Sequence, residues 1–175
     1  MIIGEIISAI LSNFVVTLLA IAIVMSIVKI RRAKLSRRPY SAVYIVWGEL
    51  LFYMYGIGAI YGGFFHAYFG TMAAAGIGWQ NSPFQYELGW FEIGYGLTAA
   101  MSLWRGYQFR LAVTLPYSIF LLAAAAQHIK MMLVQHNYAA NNAGVLLWLG
   151  DIAVPIAVLL TAFLARRDHW PWPSE

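Results

Sequence analysis

Residues 6–28 read IISAILSNFVVTLLAIAIVMSIV, and residues 29–38 continue KIRRAKLSRR. The first 23 residues carry no formal charge. A helix needs roughly 20 such residues to cross a bilayer core of about 30 Å. The next ten hold six Lys or Arg, and loops this basic stay on the cytoplasmic side of a membrane. The apolar run is too long for the core of a cleaved signal peptide, and its positive charge follows rather than precedes it. It reads as a retained transmembrane span.

Four more apolar stretches lie at about 42–65, 84–104, 111–134 and 145–165. The remaining basic residues are Arg105, Arg110, Lys130, Arg166 and Arg167. A chain crossing five times puts ten of its eleven Lys and Arg on one face, with Lys130 the exception. The loops at 67–83 and 135–144 contain neither Lys nor Arg, as outside loops should. The expected fold is all-α: one polytopic integral membrane bundle of five transmembrane helices, N-terminus outside and C-terminus cytoplasmic. Span one has little polarity beyond Glu5 and Asn13, so it is expected to lie as a peripheral helix against a four-helix core.

Composition agrees. The chain is 62% hydrophobic and only 10% charged, against about 25% charge in soluble domains. A net charge of +4 would suggest nucleic acid in a soluble protein. Here it is the topology signal plus attraction to anionic headgroups, and no nucleic-acid partner is expected. The absence of cysteine excludes disulfides and thiolate chemistry. Trp47, Trp79, Trp104, Trp148, Trp170 and Trp172 fall near span ends, where interfacial belts favour them. The tail Trp170-Pro171-Trp172-Pro173 cannot continue a helix.

Polar residues inside the spans carry the functional information. Four of seven carboxylates, Glu49, Glu87, Glu92 and Asp151, fall within them, and ionisable groups there mark sites, proton paths or packed pairs. At 1.5 Å per residue, Glu92, Gln127, His128 and Asp151 reach one level about 9–12 Å below the outer surface. His66 and Glu87 would lie above that level, and Glu49 alone near the inner side. Gln85, Gly89, Glu92 and Gly96 share one helix face, as do Glu49, Tyr53, Gly56, Ile60 and Gly63. Glycines on such stripes admit a neighbouring helix closely. Pro155, four residues after Asp151, frees the Asp151 carbonyl from its helical bond. Ser82 and Pro83 read as N-cap and first residue of span three, with Glu87 favouring its dipole.

The segment Trp79 to Glu87, with its Ser82-Pro83-Phe84-Gln85-Tyr86-Glu87 motif, followed by Gln127-His128, Asn142-Ala143-Gly144 and Asp151 to Pro155, resembles a family of small uncharacterised prokaryotic polytopic membrane proteins. The resemblance spans about residues 42–165 and implies no established activity. It implies a prokaryotic cytoplasmic membrane and points to Gln85, Glu87 and His128 as site residues.

Three functions fit these residues. Glu87, Glu92, His128, Asp151 and His66 could ligate a divalent metal ion (iron, zinc or manganese), with Gln85 and Gln127 lining the same pocket. A di-iron centre is disfavoured, because no repeated Glu-x-x-His motif is present, and a haem is less attractive because His66 and His128 differ in depth. The same groups could instead bind and relay protons or a polar solute in a small transporter or channel subunit. Third, they could pair structurally in an accessory subunit of a larger membrane complex or a homo-oligomer. The leading expectation is metal or proton binding in the outer half of the bilayer. No nucleophile elbow or phosphate-binding loop is present, and enzymatic activity is left open.

Overall fold

The computed structural model describes residues 13–37 and 40–166. Glu5, Arg38, Arg167, the 170–173 tail and the start of span one lie outside the described residues. Among the described residues the chain forms seven helices and no strand. They are α1 (Phe14–Leu35), α2 (Ala42–Tyr68), α3 (Gly70–Gly76), α4 (Phe84–Ala100), α5 (Tyr107–Gln135), α6 (Ala140–Ala143) and α7 (Leu146–Ala165).

Four of them, α1, α2, α5 and α7, are long and apolar enough to cross a membrane. α4 has 17 residues and runs on into a 3₁₀ turn at Met101–Trp104. The first helix continues well past Val28, to Leu35. Lys and Arg are good helix formers whose stems lie along apolar surface. Arg32 and Lys34 in the last turn also complement the negative end of the helix dipole.

Local chemistry sets the other ends. Ser41 caps α2 by accepting the Tyr44 N–H at 3.0 Å, as an N-cap hydroxyl should. α4 starts one residue later than its sequence suggests. Pro83 is the cap residue, and Ser82 contributes its backbone carbonyl, 3.0 Å from the Gln85 N–H. α5 passes through Pro116 and ends on His136 in the left-handed conformation (φ 51°). Two stretches are π-helical: Leu51–Ile57 within α2 and Leu146–Ala153, which opens α7. There the Gly58 N–H reaches Tyr53 and the Val154 N–H reaches Leu149, five residues back. The second stretch holds Asp151 and runs to the doorstep of Pro155. Proline cannot supply an α-helical N–H, and the wider pattern is a known accommodation in helices.

α2, α4, α5 and α7 surround a core that includes Trp47, Leu51, Tyr55, Tyr117 and Val158. α1 packs on its edge, against α2 and the start of α7, and contributes Val15 and Ala22. Only 17% of its apolar window is buried, against 50% for α2, the distribution expected for a peripheral helix. Val24, Ile119, Leu133 and Leu160 are among many exposed large apolar residues. Such a surface is at home in hydrocarbon rather than water. Polar bonds tie α2 to α5 inside the core. The Trp47 indole donates to the Thr114 hydroxyl at 3.0 Å, and the Tyr55 and Ser118 hydroxyls lie 2.6 Å apart.

The glycine stripes of α2 and α4 meet. A Cβ on Gly63 would strike the Gly89 carbonyl, and one on Gly96 would sit 2.6 Å from the Gly56 carbonyl. A Cβ on Gly89 would collide with the Ala67 backbone nitrogen. Gly94, on the same helix, faces open space. Gly89→Val should therefore force the helices apart and cost about 1–3 kcal/mol, whereas Gly94→Ala should be tolerated. Thermal unfolding in detergent checks this, and equal melting temperatures for the two variants would refute the close crossing.

Candidate functional site

Glu92 sits on the buried face of α4, and His66 stands on α2 across the glycine contact. The imidazole is anchored from two sides. Its Nδ1 meets the Gln85 amide oxygen, and its Nε2 faces Glu92 Oε2 at 3.8 Å. The other Glu92 oxygen accepts from the Tyr117 hydroxyl at 3.2 Å. Glu92 is 5% exposed, and its Oε2 has no hydrogen-bond partner.

A second imidazole repeats the pattern on α5 and α7. His128 Nδ1 lies 2.7 Å from the Asn142 amide oxygen, and its Nε2 faces Asp151 Oδ2 at 3.9 Å. His128 and Asp151 are both buried. Asn142, fully buried on the short helix α6, is held in one orientation. Its amide nitrogen donates to the Asn137 carbonyl at 2.8 Å and the His128 carbonyl at 3.3 Å, so its oxygen must be the atom on the imidazole. Asn137 in turn donates to the Ile77 carbonyl at 2.8 Å, where Gly78 takes a positive φ of 71° against it. Trp79 from the same loop lies over the His128 ring, centroids 5.5 Å apart. The loops at 77–83 and 136–145 thus close over His128.

Tyr117 belongs to the first pair: it donates to Glu92 and stacks on Tyr95, centroids 4.4 Å apart.

Of the residues expected from sequence, the structure brings Gln85, His66 and Glu92 together, and His128 with Asp151. It does not bring in Glu87 or Gln127, both of which are exposed. Glu87 lies about 140° around the helix from Glu92 and follows the first turn outward. Gln127 precedes His128 by one residue, so the two point about 100° apart. From its place beside Gln85, His66 reaches the Glu92 carboxylate directly. Tyr117, Asn142 and Trp79 were not read as site residues. Tyr117 could have been found, since it shares the His128 face eleven residues earlier.

Among the described residues no three His, Asp or Glu side chains come together to hold a metal ion. The expected ligand set is split into two pairs, with Glu87 apart.

Near the other end of the bundle lies a cluster that sequence reading resolved into a lone Glu49 and topology-setting cations. Lys29 on α1 is ion-paired with Glu49, which is 2% exposed. Arg110 is buried. It donates to the Ser102 carbonyl at 2.8 Å and the Tyr44 carbonyl at 2.7 Å, and its guanidinium lies 3.7 Å above the Tyr44 ring. Gly48 makes its room, since a Cβ there would fall 2.8 Å from the guanidinium.

Neither a curated protein nor a solved structure matches the chain. A family profile, however, covers residues 12–170, and the chain therefore belongs to a family of unknown function, DUF6790.

Proposed function

We propose that this is a five-span membrane protein, N-terminus outside and C-terminus cytoplasmic, whose outer half is a proton-binding site. α4 with its 3₁₀ turn supplies the fifth crossing, and the basic clusters set the orientation. The observation that carries the reading is the duplicated arrangement amide oxygen, imidazole, carboxylate. An amide oxygen only accepts, so the Nδ1 of His128 carries a hydrogen. The tautomer follows from the hydrogen bonds around the ring. Its Nε2 then confronts Asp151 at 3.9 Å. A bare nitrogen lone pair facing a bare carboxylate in a low-dielectric interior is repulsive. One proton per pair removes the repulsion, on the imidazole or on the carboxyl. The His66–Glu92 pair, at 3.8 Å, obeys the same logic. These separations exceed a direct hydrogen bond, which suits a pair that opens and closes around a transferable proton.

The test combines infrared spectroscopy, for a carboxylic-acid carbonyl stretch, with nitrogen NMR, for an imidazolium. The wild type should show one or the other at each pair near neutral pH, lost singly in Glu92→Gln and Asp151→Asn. Ionised carboxylates beside neutral imidazoles at both pairs would sink the proposal. So would a stoichiometric metal, by elemental analysis, that disappears in His128→Ala.

A further inference from the structure

The buried residues of α5 are Arg110, Val113, Thr114, Tyr117, Ser118, Ala125 and His128. Five of these seven carry polar groups, an unusual core face for a helix in hydrocarbon, where polar side chains are costly. Arg110 and His128 are 18 residues apart, about 27 Å along a helix, close to the thickness of a bilayer core. Its polar groups form one seam from Arg110 to Ser118, and His128 stands beyond it with only Ala125 buried between. Tyr117 hands its hydroxyl to Glu92, and Ser118 shares a hydrogen bond with Tyr55. Hydroxyls both donate and accept, which a proton path requires.

The ends of the seam are marked independently. Among the described residues, the buried side-chain nitrogen and oxygen atoms without a hydrogen-bond partner are Glu92 Oε2, Trp79 Nε1, Glu49 Oε2 and Ser102 Oγ. Two belong to the outer site. The other two flank Arg110, whose Nε bonds the Ser102 carbonyl and whose charge reaches Glu49. Buried groups are normally satisfied, so orphans gathered at the two ends of one seam point to exchangeable protons there. Glu49 is paired with Lys29 from α1, and the Arg110 guanidinium of α5 lies against the adjacent Gly48. Lys29, partly exposed at 38%, connects that carboxylate to the inner surface.

We infer that the chain passes protons between the outer His–carboxylate pairs and an inner acceptor, Glu49, along the buried face of α5. This rests on the outer pairs being proton-binding, as proposed above. A proton passes from Glu92 to the Tyr117 hydroxyl as that hydroxyl gives up its own; Tyr117 packs on Tyr55, rings 5.0 Å apart, and water carries the proton on to the Tyr55–Ser118 pair and from there to the free Glu49 oxygen. Lys29 is the exchange point with the inner aqueous phase.

The experiment is proton flux into proteoliposomes holding a pH-sensitive dye, driven by a potassium diffusion potential. Wild type should acidify the lumen. Glu49→Gln and Ser118→Ala should fall to the level of protein-free vesicles, while keeping the infrared or NMR signature of the outer pairs. That retained signature shows that the variants are folded, and Ser118→Ala stands in should Glu49→Gln not fold. Wild type with the signature but no flux overturns the inference. So does unchanged flux in both variants. A wild type without the signature overturns the outer-site reading instead.

Discussion

Arg110→Met should lower the stability of the folded protein by about 3–5 kcal/mol, the largest effect expected of any single change in the bundle. Methionine replaces the stem of the side chain but none of its donors. The Ser102 and Tyr44 carbonyls lose charge-assisted hydrogen bonds of 2.8 and 2.7 Å, and each such bond is worth about 1.5–3 kcal/mol. The face of Tyr44 loses its cation, and the space that Gly48 leaves open is no longer filled. Lys29 would remain on Glu49, but that carboxylate would lose its second nearby cation. Arg110→Lys should recover less than half of the loss, because an ammonium cannot bond two carbonyls and lie flat on a ring at once. Denaturant titration in micelles measures both variants. A midpoint unchanged in Arg110→Met would show that the guanidinium is incidental.

Asn142→Leu should cost about 2–4 kcal/mol, since it leaves buried groups of roughly 1–3 kcal/mol each unsatisfied. One amide satisfies the His128 ring nitrogen, the His128 carbonyl and the Asn137 carbonyl. Its loss frees Asn137, which holds the Ile77 carbonyl, and so loosens the loop carrying Trp79. Hydrogen exchange at the Gly78 and Trp79 amides should rise together with the loss of stability. Exchange that rises only around His128 would mean that the two loops are not coupled. Asn142→Asp keeps the shape but sets a carboxylate oxygen against both carbonyls in place of an N–H, so it should destabilise at least as much as Asn142→Leu.

Much of the fold was legible because length and hydropathy are read one helix at a time. The apolar runs at 42–65, 111–134 and 145–165 lie within or almost within α2, α5 and α7. The first helix runs on through its basic residues to Leu35, because Lys and Arg extend a helix readily, and an apolar run does not mark that end. The meeting of α2 and α4 was foreshadowed by the spacing of Gly56, Gly63, Gly89 and Gly96. The site was legible only where polarity is rare. Glu92, His128 and Asp151 stand out in apolar runs, and depth along the helix grouped them. Depth alone could not sort Glu87 and Gln127 from the rest, because that depends on rotation about each helix. Tyr117 was hidden among eleven tyrosines, and Asn142 by its place in a polar loop. Arg110 was masked by a good alternative explanation: near a span end, an arginine that fixes topology and one that fixes packing look the same in sequence.

The π-helical stretch Leu51–Ile57 separates the two ends of α2 more than distance does. A residue accommodated there, beyond what an α-helix would hold, turns everything after it by about 100° relative to everything before it. The stretch acts as a phase shifter. Glu49, before it, is addressed to α1, while His66, after it, is addressed to α4. The same helix can therefore serve one partner near each of its ends, on different sides of one continuous rod. Relaxation of Leu51–Ile57 into plain α-helix would turn one address by about 100° relative to the other.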